Sequence, residues 1–430
     1  MAPTTAISAQ RAREFLGLAG TGKPGQSAWA VLRVPGFGWY FAGSVCSDLG
    51  TWVQNTAQVL LAYHITHSVM TVALVSCAQF TSPLVLGPWA GVLADRFGGR
   101  RTLLWTEIGS AVIAAAMAAL ALTGHLDQTW LIIGAIAIGL AFTFALPARN
   151  VTIRRLVPAE DVRAGYAMDS VSYNLGRALG PPAGIALIAT VGAAWAFVVN
   201  AISFGVFTGA LLLLNAIGGS AEPVARRSRV RDGFLVAYRD KRVLIVLLMV
   251  VAVTVAADPV LVLGPALASH VFGVSATWSG LFIAALGAGS VAGSLVPLRS
   301  RPSIRLAATA LSSLGICMLV FVLAPSVIGS VLAAAAAGLT CLIANSVTRT
   351  VLATVAGPYR EASVMAIWAI AWAGSKPIAS LADGTLATWI GVRWTGALLA
   401  LPVFIPILAL AARDWLTRPG NRQAATAAAR

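Results

Sequence analysis

Apolar residues run through this chain in long blocks rather than in alternation. Predominantly apolar stretches lie at 37–65, 69–94, 102–124, 129–153, 162–190, 194–217, 243–270, 277–298, 304–324, 327–355, 361–389 and 394–413. A bilayer core asks for about 20 such residues per helix. Each stretch meets that length, and the longer ones must tilt or protrude. Strand-like alternation is missing, so the pattern predicts an all-α membrane protein with twelve transmembrane helices. The widest polar gap, 218–242, contains Gly218-Gly219-Ser220 and the basic run Arg226 to Arg231. It divides the chain into a tail (1–36), a six-helix bundle (37–217), a linker (218–242), a second six-helix bundle (243–413) and a tail (414–430).

The two bundles resemble each other. Arg149 and Arg349 are 200 residues apart, as are Pro158 and Pro358, and Gly192 and Gly391 are 199 apart. Asp48 in the first span matches Asp258 in the seventh. Parallel six-helix repeats, here two pseudo-symmetric bundles, are the layout of transporters that rock about a central site.

Composition agrees with lipid as the solvent. Hydrophobic residues make up 58% of the 430 and charged residues 10%, far below the quarter usual in soluble domains. The net charge of +15 would raise nucleic acid as a partner, but its placement points elsewhere. Arg393 is the one basic residue in the loops on the far side, and Arg149, Arg177, Arg349 and Lys376 lie within spans. The remaining Lys and Arg occupy the tails and the even-numbered loops, the positive-inside pattern with both termini cytoplasmic. The charge then faces anionic lipid headgroups rather than nucleic acid. The localisation expected is the plasma membrane, multi-pass, with a monomer as the working unit. The four cysteines have no CxxC spacing. Gly17 to Lys23 has the look of a phosphate loop, yet Pro24 stands where Ser or Thr should bind magnesium. No cofactor and no enzymatic constellation is expected.

Between spans two and three stands Gly91-Val-Leu-Ala-Asp95-Arg96-Phe97-Gly98-Gly99-Arg100-Arg101. Gly91 would permit close helix approach. This G-x-x-x-D-R-x-G-x-R-R pattern resembles the signature of the major facilitator superfamily, over essentially residues 37–413. The resemblance implies that Asp95 and Arg96 latch the two halves in an outward-facing state. The equivalent loop of the second half, Gly293 to Arg305, keeps the basic residues and lacks the acid. Span five carries Gly176-Arg-Ala-Leu-Gly180-Pro181-Pro182-Ala-Gly184, which resembles the core of the motif of proton-driven exporters in that superfamily. Ala167 and Ile185 replace its outer glycines, and Ala135 stands where drug/proton antiporters have an arginine. Physically, such a run thins and bends a helix, here expected at the interface between the halves. Ser47 to Gln54, Ala145 to Arg149 and Asn174 to Arg177 resemble the enterobactin-exporter and macrolide-efflux branch.

Charges inside a membrane should face protein or a wet cavity. Asp169, Tyr173 and Arg177 fall on one face of span five, and Trp368, Trp372 and Lys376 repeat that spacing in span eleven, with Asp383 continuing the stripe. The expected pairs are Asp48 with Arg177 and Asp258 with Lys376, acting either as static ion pairs or as a proton site. Asp258-Pro259 predicts a break in span seven. The tryptophans suit a cationic or amphipathic ligand, or simple packing, whereas Arg177 and Lys376 suit an anion. Glu107, Arg149, Asp169 and Arg349 are expected as gate partners of Arg96 and Arg101. The function implied is proton-driven efflux of an amphipathic small molecule by alternating access. A metabolite importer and a non-transporting scaffold remain the alternatives.

Overall fold

The computed structural model describes residues 28–214, 238–294, 296, 303–356 and 361–416. The Gly17–Lys23 run, the Arg226–Arg231 run, Gly218–Ser220 and most of the loop from Gly293 to Arg305 lie outside them. Helical segments group into twelve rods among these residues. The first six are α1 (Phe37–Thr66), α2 (Val69–Phe97), α3 (Gly99–Leu122), α4 (Gln128–Leu156), α5 (Val162–Val191) and α6 (Ala194–Leu213). The second six begin with α7 (Lys241–Ala257), α8 (Trp278–Ser294) and α9 (Ile304–Leu323). They close with α10 (Val327–Ala356), α11 (Glu361–Ile390) and α12 (Val392–Ala400, resuming at Ile405–Leu416). By length and composition, eight of the described helices could cross a membrane. Large apolar side chains such as Trp39, Trp105, Ile202 and Leu332 stand exposed on the outside, as a lipid-facing surface requires.

Local chemistry sets the helix ends. Asp127 caps α4 by accepting from the Trp130 amide at 3.0 Å, and Ser303 caps α9 by accepting from Leu306 at 3.2 Å. Each satisfies a donor that a helix start leaves unpaired. Gly192 and Gly391, the two repeat-related glycines, end α5 and α11 at φ 98° and 80°, a region costly for residues with a Cβ. Span seven breaks as expected: Asp258 ends α7, Pro259 starts a short turn, and a π-helical turn follows at Leu267–Val271.

The packing repeats as the sequence does. In the first half α1 lies on α5 and α6, α2 on α4, and α3 on α4 and α6. In the second half α7 lies on α11, α8 on α10, and α9 on α10 and α12. The halves meet along α2–α11 and α5–α8. They also share an apolar cluster in which Val59 and Tyr63 of α1, Val72 of α2 and Phe197 of α6 pack with Val262, Leu263 and Ala266. Above it the Tyr63 hydroxyl reaches Ser269 Oγ at 2.8 Å and His270 Nε2 at 3.1 Å. This cluster closes one end of the molecule.

The opposite end is parted. Ala73, Phe80, Leu84, Gly87 and Gly91 form one stripe of α2 by helical spacing. The first three meet α11 at Gly384, Lys376 and Gly374. At Gly87 and Gly91 no atom comes within 4 Å of a Cβ placed there. The close approach expected at Gly91 is therefore not made in this state, because the seam opens toward the end where α2 finishes.

Candidate functional site

The charged groups inside the first half converge on Arg149. Its guanidinium pairs with Asp48 at 3.1 Å and Asp169 at 3.7 Å, donates to Ser44 at 3.2 Å, and lies over the Phe207 ring at 5.4 Å. Asp48 also accepts from Ser172 at 2.5 Å, and Asp169 from the Tyr40 hydroxyl at 3.0 Å. Nearby, buried Glu107 accepts from Ser47 at 3.1 Å. Buried charges persist when paired and hydrogen-bonded in this way.

This corrects the expected pairing of Asp48 with Arg177. Arg177 lies instead over the Trp52 ring at 5.8 Å, with Trp52 edge-on to Tyr173 at 5.8 Å. It also corrects the gate assignment. Arg149, Asp169 and Glu107 are engaged with α1 and with one another, and Arg349 lies over Trp368 at 5.3 Å. Arg96 lies over Phe97. Arg100 donates to the Leu211 carbonyl at 2.7 Å, satisfying the end of α6. Arg101 is exposed at the start of α3. The Asp95 side chain is outside the described residues, and Gly98 turns the chain at φ 87°.

The second half treats its carboxylates differently. Asp258 accepts from Ser380 at 2.6 Å, repeating across α7 and α11 the Asp48–Ser172 bond of α1 and α5. The expected ion pair with Lys376 is not formed: both ion pairs among the described residues belong to Arg149. Asp258 sits instead against Ser380, one helical turn before Asp383 on α11. Asp383 is fully buried, and no hydroxyl, amide or cation donates to either of its oxygens. A buried carboxylate without a donor or a cation is costly to keep charged.

Lys376 lies 4.0 Å from the Phe80 ring and 4.7 Å from that of Trp372. Trp372 stacks on Trp368 at 6.3 Å with the planes 5° apart. One row therefore runs Arg349, Trp368, Trp372, Lys376, Phe80, joining α10, α11 and α2.

The Gly/Pro run also differs from expectation. Gly176, Gly180 and Gly184 face α1 of the same half, where Asp48, Trp52 and Val53 fill the space a side chain would need. Between the halves it is α8 that is thinned: Gly287 rests on the Arg177 backbone and Gly280 against Ile185. Pro181 is buried within α5, whose helix continues through it. Ser44, Ser172, Ser380, Tyr40 and Phe80 were not singled out from the sequence, and Ser47 and Trp52 entered only within the Ser47–Gln54 resemblance. The signal for Ser44 was present, one turn before Asp48; the others come from neighbouring helices that spacing cannot identify.

The family profile described as transmembrane secretion effector matches residues 26–422. YfiS, an MFS-type transporter of Bacillus subtilis (strain 168), is 28% identical over 174 residues, covering 40% of each chain. MdtD of Salmonella typhimurium, named for multidrug resistance, is 26% identical over 179 residues, or 41% of this chain and 35% of its own. The chain thus spans less than half the length of these relatives. Among solved structures, a bacterial homologue of the human lysosomal transporter Spinster superposes with a TM-score of 0.69 at 13% identity, covering 91% of this chain and 98% of that one. The nucleoside transporter NupG gives 0.68 at 12%, covering 87% and 99%. With the profile spanning nearly the whole chain and these folds superposing on both halves, the chain belongs to the transmembrane secretion effector family of major facilitator transporters.

Proposed function

We propose that the protein exports an amphipathic small molecule across the plasma membrane in exchange for protons, by alternating access. The carrying observation is the pair of buried acids Asp258 and Asp383, the second with no donor on either oxygen, an arrangement that a proton would relieve. When water reaches the pair, each acid becomes free to ionise and the proton leaves. The pair spans α7 and α11, and α11 also forms the seam with α2, so opening the seam and exposing the pair involve the same helix. On the positive-inside reading, with both termini cytoplasmic, the parted end faces the cytoplasm. The cavity between the halves then loads from inside, as an exporter requires. Direction draws further support from the secretion family and from the drug-resistance relatives.

The test is accumulation of a labelled panel of dyes, macrolides and siderophores in cells expressing the full chain, with and without a protonophore. Lower accumulation that the protonophore abolishes is expected for the wild type. Asp95→Asn and Asp383→Asn should each return accumulation to that of empty cells. Raised accumulation would reverse the direction, and export unaffected by Asp383→Asn would remove the proton role from this pair.

A further inference from the structure

We infer that the site between the halves recognises an aromatic or amphipathic anion, held between Arg177 and Lys376. This rests on the transporter reading above and specifies its substrate class. Three cations from three helices contribute: Arg177 of α5, Arg349 of α10 and Lys376 of α11. None forms an ion pair, since both ion pairs among the described residues are made by Arg149. Each lies over a ring instead, Arg177 over Trp52, Arg349 over Trp368, and Lys376 over Phe80 and Trp372. Asp258, the carboxylate expected to pair with Lys376, accepts from Ser380 instead.

Two consequences follow for a ligand. A cationic ligand would look for aromatic faces, but here those faces carry cations of the chain's own, and it would also meet their charge. An anion finds the opposite. A guanidinium stacked on a ring keeps its edge donors available, and an ammonium keeps its hydrogens. Arg177 Nε and Trp368 Nε1 are in fact buried with no hydrogen-bond acceptor, and buried donors without partners are rare. Both call for an acceptor, and an anionic oxygen supplies one. The rings provide apolar surface for the rest of the molecule.

The location adds a mechanical role. Arg177 belongs to the first half and Lys376 to the second, and both side chains are cationic. A bound anion between them adds two attractions across the seam, favouring closure of the halves around the ligand. The differential stabilisation of one state by the ligand is what alternating access requires.

The experiment is isothermal titration calorimetry on the full chain in lipid nanodiscs. Two probes share one ring system: naphthalene-2-sulfonate, and naphthalene bearing a trimethylammonium group at the same carbon. The sulfonate should bind at least roughly tenfold more tightly than the cation. Lys376→Gln and Arg177→Gln should each weaken sulfonate binding roughly tenfold, the loss of one charge-assisted contact, whereas Lys376→Arg should retain it. Circular dichroism verifies that each variant is folded. Equal or tighter binding of the cation, no binding of either probe, or sulfonate affinity indifferent to both Gln variants would overturn the inference. Flux of the same probes in proteoliposomes separates the two readings. Selective sulfonate binding without pH-driven flux sinks the exporter and leaves the site, whereas pH-driven flux of cationic dyes without sulfonate binding sinks the site and leaves the exporter.

Discussion

Arg149 gathers α1, α4, α5 and α6 at one point, through Asp48, Asp169, Ser44 and the Phe207 ring. Its side chain is 12% exposed and that of Asp48 9%, so the charges are screened little by water. Removing the cation leaves buried Asp48 and half-buried Asp169 without their counter-charge, which costs about 3–5 kcal/mol. Arg149→Leu should therefore unfold at markedly lower temperature in detergent, and Arg149→Leu combined with Asp48→Asn should recover part of the loss. Arg149→Lys should fall between, because an ammonium cannot present the guanidinium's fixed fork. An unchanged melting temperature for Arg149→Leu would refute the clamp. The sequence identified every charged member of this cluster and still mispaired Asp48 with Arg177. Spacing along one helix reports which residues share a face. It does not report which other helix that face meets, and Arg149 reaches Asp48 from α4, a neighbour the repeat did not reveal.

At the scale of elements, α2 is a helix with a used and an unused end. Its stripe is filled against α11 at Ala73, Phe80 and Leu84 and empty at Gly87 and Gly91. Gly91→Leu adds bulk into open space and should leave the stability of this state within about 0.5 kcal/mol of wild type, read as a nearly unchanged melting temperature. The same bulk obstructs the seam when that end closes, so transport should fall to background. Full transport by Gly91→Leu would show that α2 and α11 never meet there. The helix ends were legible in advance because Gly192 and Gly391, Pro259 and the polar loops are local signals. The partner of the Gly176–Gly184 face was not legible: absent side chains announce a close approach without naming the neighbour, and α1, not the other half, takes the space.

For the whole molecule, the pseudo-symmetric packing of the two halves was readable from the internal repeat, since related sequences bury related faces. The differences between the halves were not readable. Asp48 and Asp258 are repeat-related and each accepts from a serine one helix pair away. The first meets a cation and the second does not, because Arg349 lies over Trp368 while Arg149 reaches Asp48. Under the proposed exchange, the first half is a fixed support and the second carries the acid that takes the proton. The uncompensated cations facing the seam have a bearing on the membrane's electricity. An exporter that carries an anion out and one proton in moves two elementary charges the same way, each worth about 2.3 kcal/mol per 100 mV. A negative-inside voltage then drives this cycle, by about 4.6 kcal/mol per 100 mV against about 1.4 kcal/mol per pH unit for the one proton. Collapsing the voltage with valinomycin and potassium at constant pH difference should slow anion efflux in proteoliposomes, and the exchange should itself generate a measurable current.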